Sequence, residues 1–161
     1  MIARIEEKFR RIITEKLQQF GGGEEYFSAL DAELTKTNNF DIVSLLFEYP
    51  ASNVVVSGRF GNFIARVHSL GGFRFDSLLV FNGGLRKGDA PILQHGYRLK
   101  MHSEPVAYTF FDDSFYMGRT ALAIDKVLRS TYNGYIRNIR VAYDGSPEKR
   151  ENVSSIFRYH N

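Results

Sequence analysis

Asp112 and Asp113 stand together between an apolar run, Val106 to Phe111, and the segment Ser114-Phe-Tyr-Met-Gly-Arg-Thr120. Adjacent carboxylates accept hydrogen bonds from sugar hydroxyls and can share a divalent cation with a ligand. Residues 114–120 read as a short loop that opens a helix over Gly118 to Leu128. The free N–H groups and partial positive charge of a helix N-terminus stabilise an anion such as phosphate. Gly118 allows close backbone approach, because it has no Cβ and takes positive φ without steric cost. Acids followed by such a loop suit a sugar phosphate, with hydroxyls on Asp112 and Asp113 and phosphate on residues 114–120. The bland reading is a solvated turn with Asp113 near a helix N-cap.

The elements that must position this site follow from apolar patterning. Asn53-Val-Val-Val-Ser57 is strand-like because three β-branched residues run together. Gly61 to Leu70 reads as a helix closed by Gly71-Gly72. Phe75 to Phe81 is a continuous apolar run, the pattern of a buried parallel strand, and ends in Asn82-Gly83-Gly84. Residues 85–105 are mixed and turn-prone. Val106 to Phe111 and Ile136 to Tyr143 are further buried strands, Asp144 to Pro147 is a turn, and Val153 to Tyr159 is a last strand or tail. Strands alternating with helices predict an α/β fold with a parallel sheet of four or five strands. At the C-terminal ends of its strands such a sheet binds its ligand. Upstream, residues 2–20 and 24–36 follow helical spacing around Gly21-Gly-Gly23. The expectation is one domain over 1–161, with a helical extension over 1–40 and the α/β core over 41–161.

Composition bounds the remaining classes. The 161 residues are 43% hydrophobic and 14% aromatic, which is globular rather than disordered. Cysteine is absent, excluding disulfides and thiolate chemistry. The charged N-terminus lacks an apolar signal core, and no apolar run reaches the roughly 20 residues of a membrane helix. These features fit a cytoplasmic protein. The net charge of +3 suits an anionic ligand and is too weak to argue for nucleic acid.

The acid pair and loop, with Asp112, Asp113, Gly118, Arg119 and Thr120 as matching positions, resemble the phosphoribosyl-pyrophosphate motif of type I phosphoribosyltransferases. Asp76 to Gly84 resembles that family's strand and pyrophosphate loop, and Ser57-Gly58-Arg59 is similar to a segment before the first helix of orotate-type members. The resemblance spans roughly residues 53–143. It implies a Rossmann-like parallel sheet and a ligand that is phosphoribosyl pyrophosphate or a nucleoside 5′-phosphate. It assigns Asp112 and Asp113 to ribose and Mg²⁺. Ser114, Phe115, Tyr116, Met117, Gly118, Arg119 and Thr120 go to the phosphate, and Asn82, Gly83, Gly84, Arg86 and Lys87 to pyrophosphate. Tyr143 and Asp144 go to the acceptor pocket. The implied activity is transfer of the phosphoribosyl group to a nitrogenous acceptor, in nucleotide metabolism.

Two departures stand beside this. Met117 occupies a position where the family has threonine, and Met donates no hydrogen bond. Only 21 residues, 85–105, hold what is elsewhere a helix, a strand and a mobile catalytic loop. Both favour the alternative of a catalytically inactive nucleotide-binding or regulatory module. A third reading is an α/β interaction domain with residues 2–20 as a homodimer helix. Arg98, Lys100 and His102 read as solvated loop residues, and His68 as packed or surface rather than a catalytic base.

Overall fold

The computed structural model describes residues 45–46, 48–69, 75–86, 88–99, 103–115, 118–144 and 153–155. The expected N-terminal extension lies outside them, as do Lys87, Lys100, His102, Tyr116 and Met117. The elements run β1 (Asn53–Ser57), α1 (Gly58–Ser69), β2 (Ser77–Phe81), β3 (Leu93–Arg98), β4 (Val106–Phe115), α2 (Arg119–Thr131), β5 (Gly134–Asp144) and β6 (Val153–Ser155). They form one sheet in the order β3-β2-β1-β4-β5-β6. All neighbours are parallel except β2 and β3. The α/β class with a mostly parallel sheet is as the sequence predicts.

Alternation across the pleat sends each central strand's residues to two cores. On one face, Val55, Leu79, Phe81, Tyr108, Phe110, Ile139 and Val141 pack with Ala121, Ile124 and Leu128 of α2. On the other lie Val54, Val56 and Val80, against α1. Gly61 of α1 fits there because a Cβ on it would fall 2.6 Å from Val80 Cγ1 and 3.3 Å from Val56 Cγ2. The sheet is therefore covered by helices on both sides, which explains why β1 and β2 read as unbroken apolar runs.

α2 ends where Asn133 takes φ 49, the left-handed conformation that Asn tolerates at helix C-termini. The Tyr132 N–H donates to the Leu128 carbonyl, and the Val106 N–H to the Asn133 carbonyl at 2.9 Å, joining the helix end to the start of β4. Asp125 fastens α2 to β5 by accepting from the Ile136 N–H at 2.8 Å. Gly134 must lack a side chain, because a Cβ would lie 2.5 Å from Cε2 of the fully buried Tyr108.

Three sequence expectations are corrected here. First, residues 85–105 contain an antiparallel edge strand, giving six strands among the described residues rather than four or five. Gln94 and Gly96 hide it from propensity, and only pairing with β2 makes it a strand. Secondly, β4 continues past Phe111 to Phe115 because β5 is long enough to pair with Asp112, Ser114 and Phe115. The acids lie within the paired strand, and the connection to α2 shortens to residues 116–118. Thirdly, Arg98 is not a solvated loop cation. It is part-buried and donates to the Tyr132 carbonyl at the C-terminal end of α2, where positive charge is favoured. His68 packs as expected, with its ring centroid 5.5 Å from Phe75 and 4.4 Å from Tyr97.

Candidate functional site

The sheet order contains a change of direction. From β1 the chain crosses through α1 to β2 on one side, and from β4 it crosses through α2 to β5 on the other. The reversal lies between the adjacent strands β1 and β4. In open α/β sheets the two outgoing connections part there and leave a crevice at the C-terminal strand ends, where ligands bind. Val56 pairs with Phe111, so the next residues outward are Ser57 on β1 and Asp112 on β4. The acid pair thus stands at the crevice.

Positions 112 and 113 are successive residues of a paired strand and belong to opposite faces. Position 112 shares its face with Phe110 and Val141, the α2 side, and Asp112 is half-buried there. Position 113 shares its face with the buried Phe111, on the α1 side. Ser114 pairs with Tyr143 and Phe115 with Asp144, which brings the expected acceptor-side residues to the same sheet edge as the acids.

Both helices present their N-termini at this edge. Gly118 precedes α2 at φ 76 and is half-buried, Arg119 is exposed and Thr120 half-buried. Gly118, the N-cap residue, makes no side-chain capping bond, and the first turn holds no acid. Its first N–H groups have no intrahelical partner, and an anion placed on them is stabilised by about 0.3–1 kcal/mol, up to about 2 when partly buried. The first turn of α1 likewise holds no acid.

The expected pyrophosphate loop forms the near end of the β2–β3 connection. Asn82 closes that connection twice: its N–H donates to the Ile92 carbonyl at 3.0 Å, and its Oδ1 accepts from the Ile92 N–H at 2.7 Å. Its backbone donor is therefore committed within the loop. Gly83, Gly84 and Arg86 are exposed. The Asp89 carboxylate accepts from the Arg86 N–H at 2.8 Å, and the Asp89 N–H returns to the Arg86 carbonyl, forming a compact turn.

Sequence reasoning missed one contact. Gly58, at φ 70 where β1 enters α1, lies backbone to backbone against Gly83. A Cβ on Gly83 would fall 2.8 Å from Gly58 Cα. The signal was present in Ser57-Gly58-Arg-Phe-Gly61, whose glycines serve the strand-to-helix turn and the close helix–sheet packing. The partner of Gly58, 25 residues on, is a tertiary fact.

Among the described residues no three His, Cys, Asp or Glu side chains gather into a metal-binding group. A single carboxylate from position 112 or 113, which lie on opposite faces of β4, is enough for Mg²⁺ chemistry, since that ion takes one or two carboxylates and completes its shell with water and ligand phosphate oxygens. No helix among the described residues is long and apolar enough to cross a membrane.

No family model and no curated protein matches this chain. Solved structures do. Three of the structures it resembles are phosphoribosyltransferases. The purine phosphoribosyltransferase of Pyrococcus horikoshii Ot3 is 18% identical, over 71% of this chain and 78% of that one, with TM-score 0.42. The adenine phosphoribosyltransferase of Thermoanaerobacter pseudethanolicus ATCC 33223 is 17% identical, over 72% and 71%, with TM-score 0.41. The orotate phosphoribosyltransferase of Aeropyrum pernix is 14% identical, over 70% of this chain and 60% of that one, with TM-score 0.40. The chain spans less than two thirds of that last structure. Likenesses of this size assign no chemistry, which has to come from the crevice itself.

Proposed function

We propose that this protein binds phosphoribosyl pyrophosphate at the β1–β4 crevice and transfers its phosphoribosyl group to a nitrogenous acceptor. The observation that carries the proposal is the meeting of an acid pair and a helix N-terminus at the point where the sheet reverses direction. A ligand with hydroxyls at one end of a ribose and phosphate at the other spans those two features.

In this reading the N–H groups at the start of α2, with Arg119 and Thr120, hold the 5′-phosphate. Asp112 and Asp113 receive the ribose hydroxyls, and their negative charge favours the ring as it becomes cationic. The acceptor nitrogen attacks the anomeric carbon, the bond from that carbon to the pyrophosphate oxygen breaks, and pyrophosphate leaves with the electron pair. The transition state resembles that of glycoside hydrolysis. No covalent nucleophile from the protein is required. The chain's work is to position the acceptor near Tyr143 and Asp144 and to stabilise charge on the departing pyrophosphate. Gly83, Gly84, Arg86 and Lys87 serve that second task. Either Asp112 or Asp113, on opposite faces of β4, would hold Mg²⁺ together with the ligand's phosphate oxygens, and the ion when bound neutralises pyrophosphate charge.

The test is pyrophosphate release from phosphoribosyl pyrophosphate and Mg²⁺ with a panel of purine and pyrimidine bases and orotate. Acceptor-dependent release that disappears in Asp113→Asn is the expected result. Tight binding without release across the panel would leave a ligand-binding module in place of the enzyme.

A further inference from the structure

The structure assigns Gly83 a positioning role: the missing Cβ seats the β1–α1 turn at Gly58, so the two loops bordering the crevice act as one rigid unit. This deepens the phosphoribosyl pyrophosphate reading and rests on it for the ligand, but the packing claim stands on geometry alone.

The two glycines are needed for different reasons. Gly58 has φ 70, a conformation that side-chain-bearing residues rarely adopt, while a Cβ on it would lie 3.6 Å from Gly83 Cα, an ordinary contact. Gly83 is not among the positive-φ residues, and its constraint is steric. Its Cβ would lie 2.8 Å from Gly58 Cα and 3.4 Å from Gly58 N. Both opposing atoms are backbone, so no side-chain rotation relieves the clash, and one loop must move. β1 and α1 hold Gly58 from both sides: Val54, Val55 and Val56 are fully buried, and Gly61 is wedged between Val56 and Val80. Asn82 anchors the other loop through its two hydrogen bonds to Ile92. Neither loop can yield without disturbing the crevice edge between Ser57 and Asp112.

Gly84 is the internal comparison. It too has positive φ, at 67, but nothing lies within 4 Å of its Cβ position. An Ala there strains its own backbone without pressing on Gly58. Adjacent glycines in one loop thus make separable predictions.

The experiment uses the full chain as wild type, Gly83→Ala and Gly84→Ala, with two-dimensional amide spectra without ligand and calorimetric titration with Mg²⁺–phosphoribosyl pyrophosphate. In Gly83→Ala the Gly58 amide resonance should shift and ligand affinity should fall at least tenfold. In Gly84→Ala the Gly58 resonance should stay in place. Wild-type protein should also show a cross-relaxation signal between the Hα protons of Gly58 and Gly83, a readout that survives if Gly83→Ala does not fold. An unmoved Gly58 resonance in folded Gly83→Ala, wild-type affinity in that variant, or no Gly58–Gly83 cross-relaxation overturns the assignment. If wild type binds no phosphoribosyl pyrophosphate, the functional reading falls, while the resonance and cross-relaxation data still decide the seating.

Discussion

Tyr108→Phe removes a single oxygen from a fully buried ring. The Tyr108 hydroxyl lies 2.8 Å from Ser77 Oγ, and the two residues are 0% and 2% exposed. They sit on β4 and β2, the strands flanking β1, so the bond ties three strands together below the crevice. Water cannot replace the lost partner cheaply, and the Ser77 hydroxyl is left buried and unpaired. That costs about 1–3 kcal/mol. For a chain of this size each kcal/mol lowers Tm by about 2–4 °C. A loss of about 2 kcal/mol therefore appears as a drop of about 4–8 °C, and as a lower urea midpoint with unchanged m. Ser77→Ala should cost a similar amount, because it strands the Tyr108 hydroxyl. The double variant removes both polar atoms and should be nearer wild type than the sum of the singles, with a coupling of about 1–2 kcal/mol. Wild-type stability in Tyr108→Phe, or strictly additive singles, would refute the bond's role.

Asp125→Ala should lower the urea midpoint by about 2 kcal/mol in stability, since it removes a charged acceptor from the Ile136 N–H. Arg129→Ala breaks the exposed i,i+4 pair and the guanidinium's contact over the Tyr135 ring, 5.3 Å from its centroid, and should cost about 1 kcal/mol or less, so equal losses would contradict this division. Asp112→Asn and Asp113→Asn should weaken ligand binding by unequal factors in calorimetry, because the two positions lie on opposite faces of β4; equal effects would contradict that placement. Met117→Thr should tighten phosphate binding by one charge-assisted hydrogen bond, on the order of 1.5–3 kcal/mol at most. No change in its titration would mean that residue 117 does not face the phosphate.

What was legible in the sequence was what local patterning encodes. Val54-Val55-Val56 and Leu78 to Phe81 announce strands buried on both faces, and α2 shows itself through Ala121, Ile124 and Leu128. β3 was not legible, because Gln94 and Gly96 disfavour strands and only the neighbouring β2 overrides them. The continuation of β4 through Asp112 and Asp113 was hidden for the same reason, since acids read as strand breakers until β5 supplies the pairing. Arg98 looked like a loop cation because its partner carbonyl, at Tyr132, lies 34 residues away in sequence. For the site, the residue types at 112–120 were readable. Their standing at a topological switch point was not, because strand order belongs to the assembled sheet.

The central claim is that the β1–β4 crevice takes a phosphoribosyl ligand through its acids. The most direct measurement is calorimetric titration of Mg²⁺–phosphoribosyl pyrophosphate into wild type and into Asp112→Asn/Asp113→Asn, each confirmed folded by its thermal melt. Saturable heat with wild type is expected. The double variant should bind at least tenfold more weakly, as loss of hydrogen bonds to charged groups worth about 1.5–3 kcal/mol requires. No heat at millimolar ligand with folded wild type, or equal affinity in the double variant, would contradict the account.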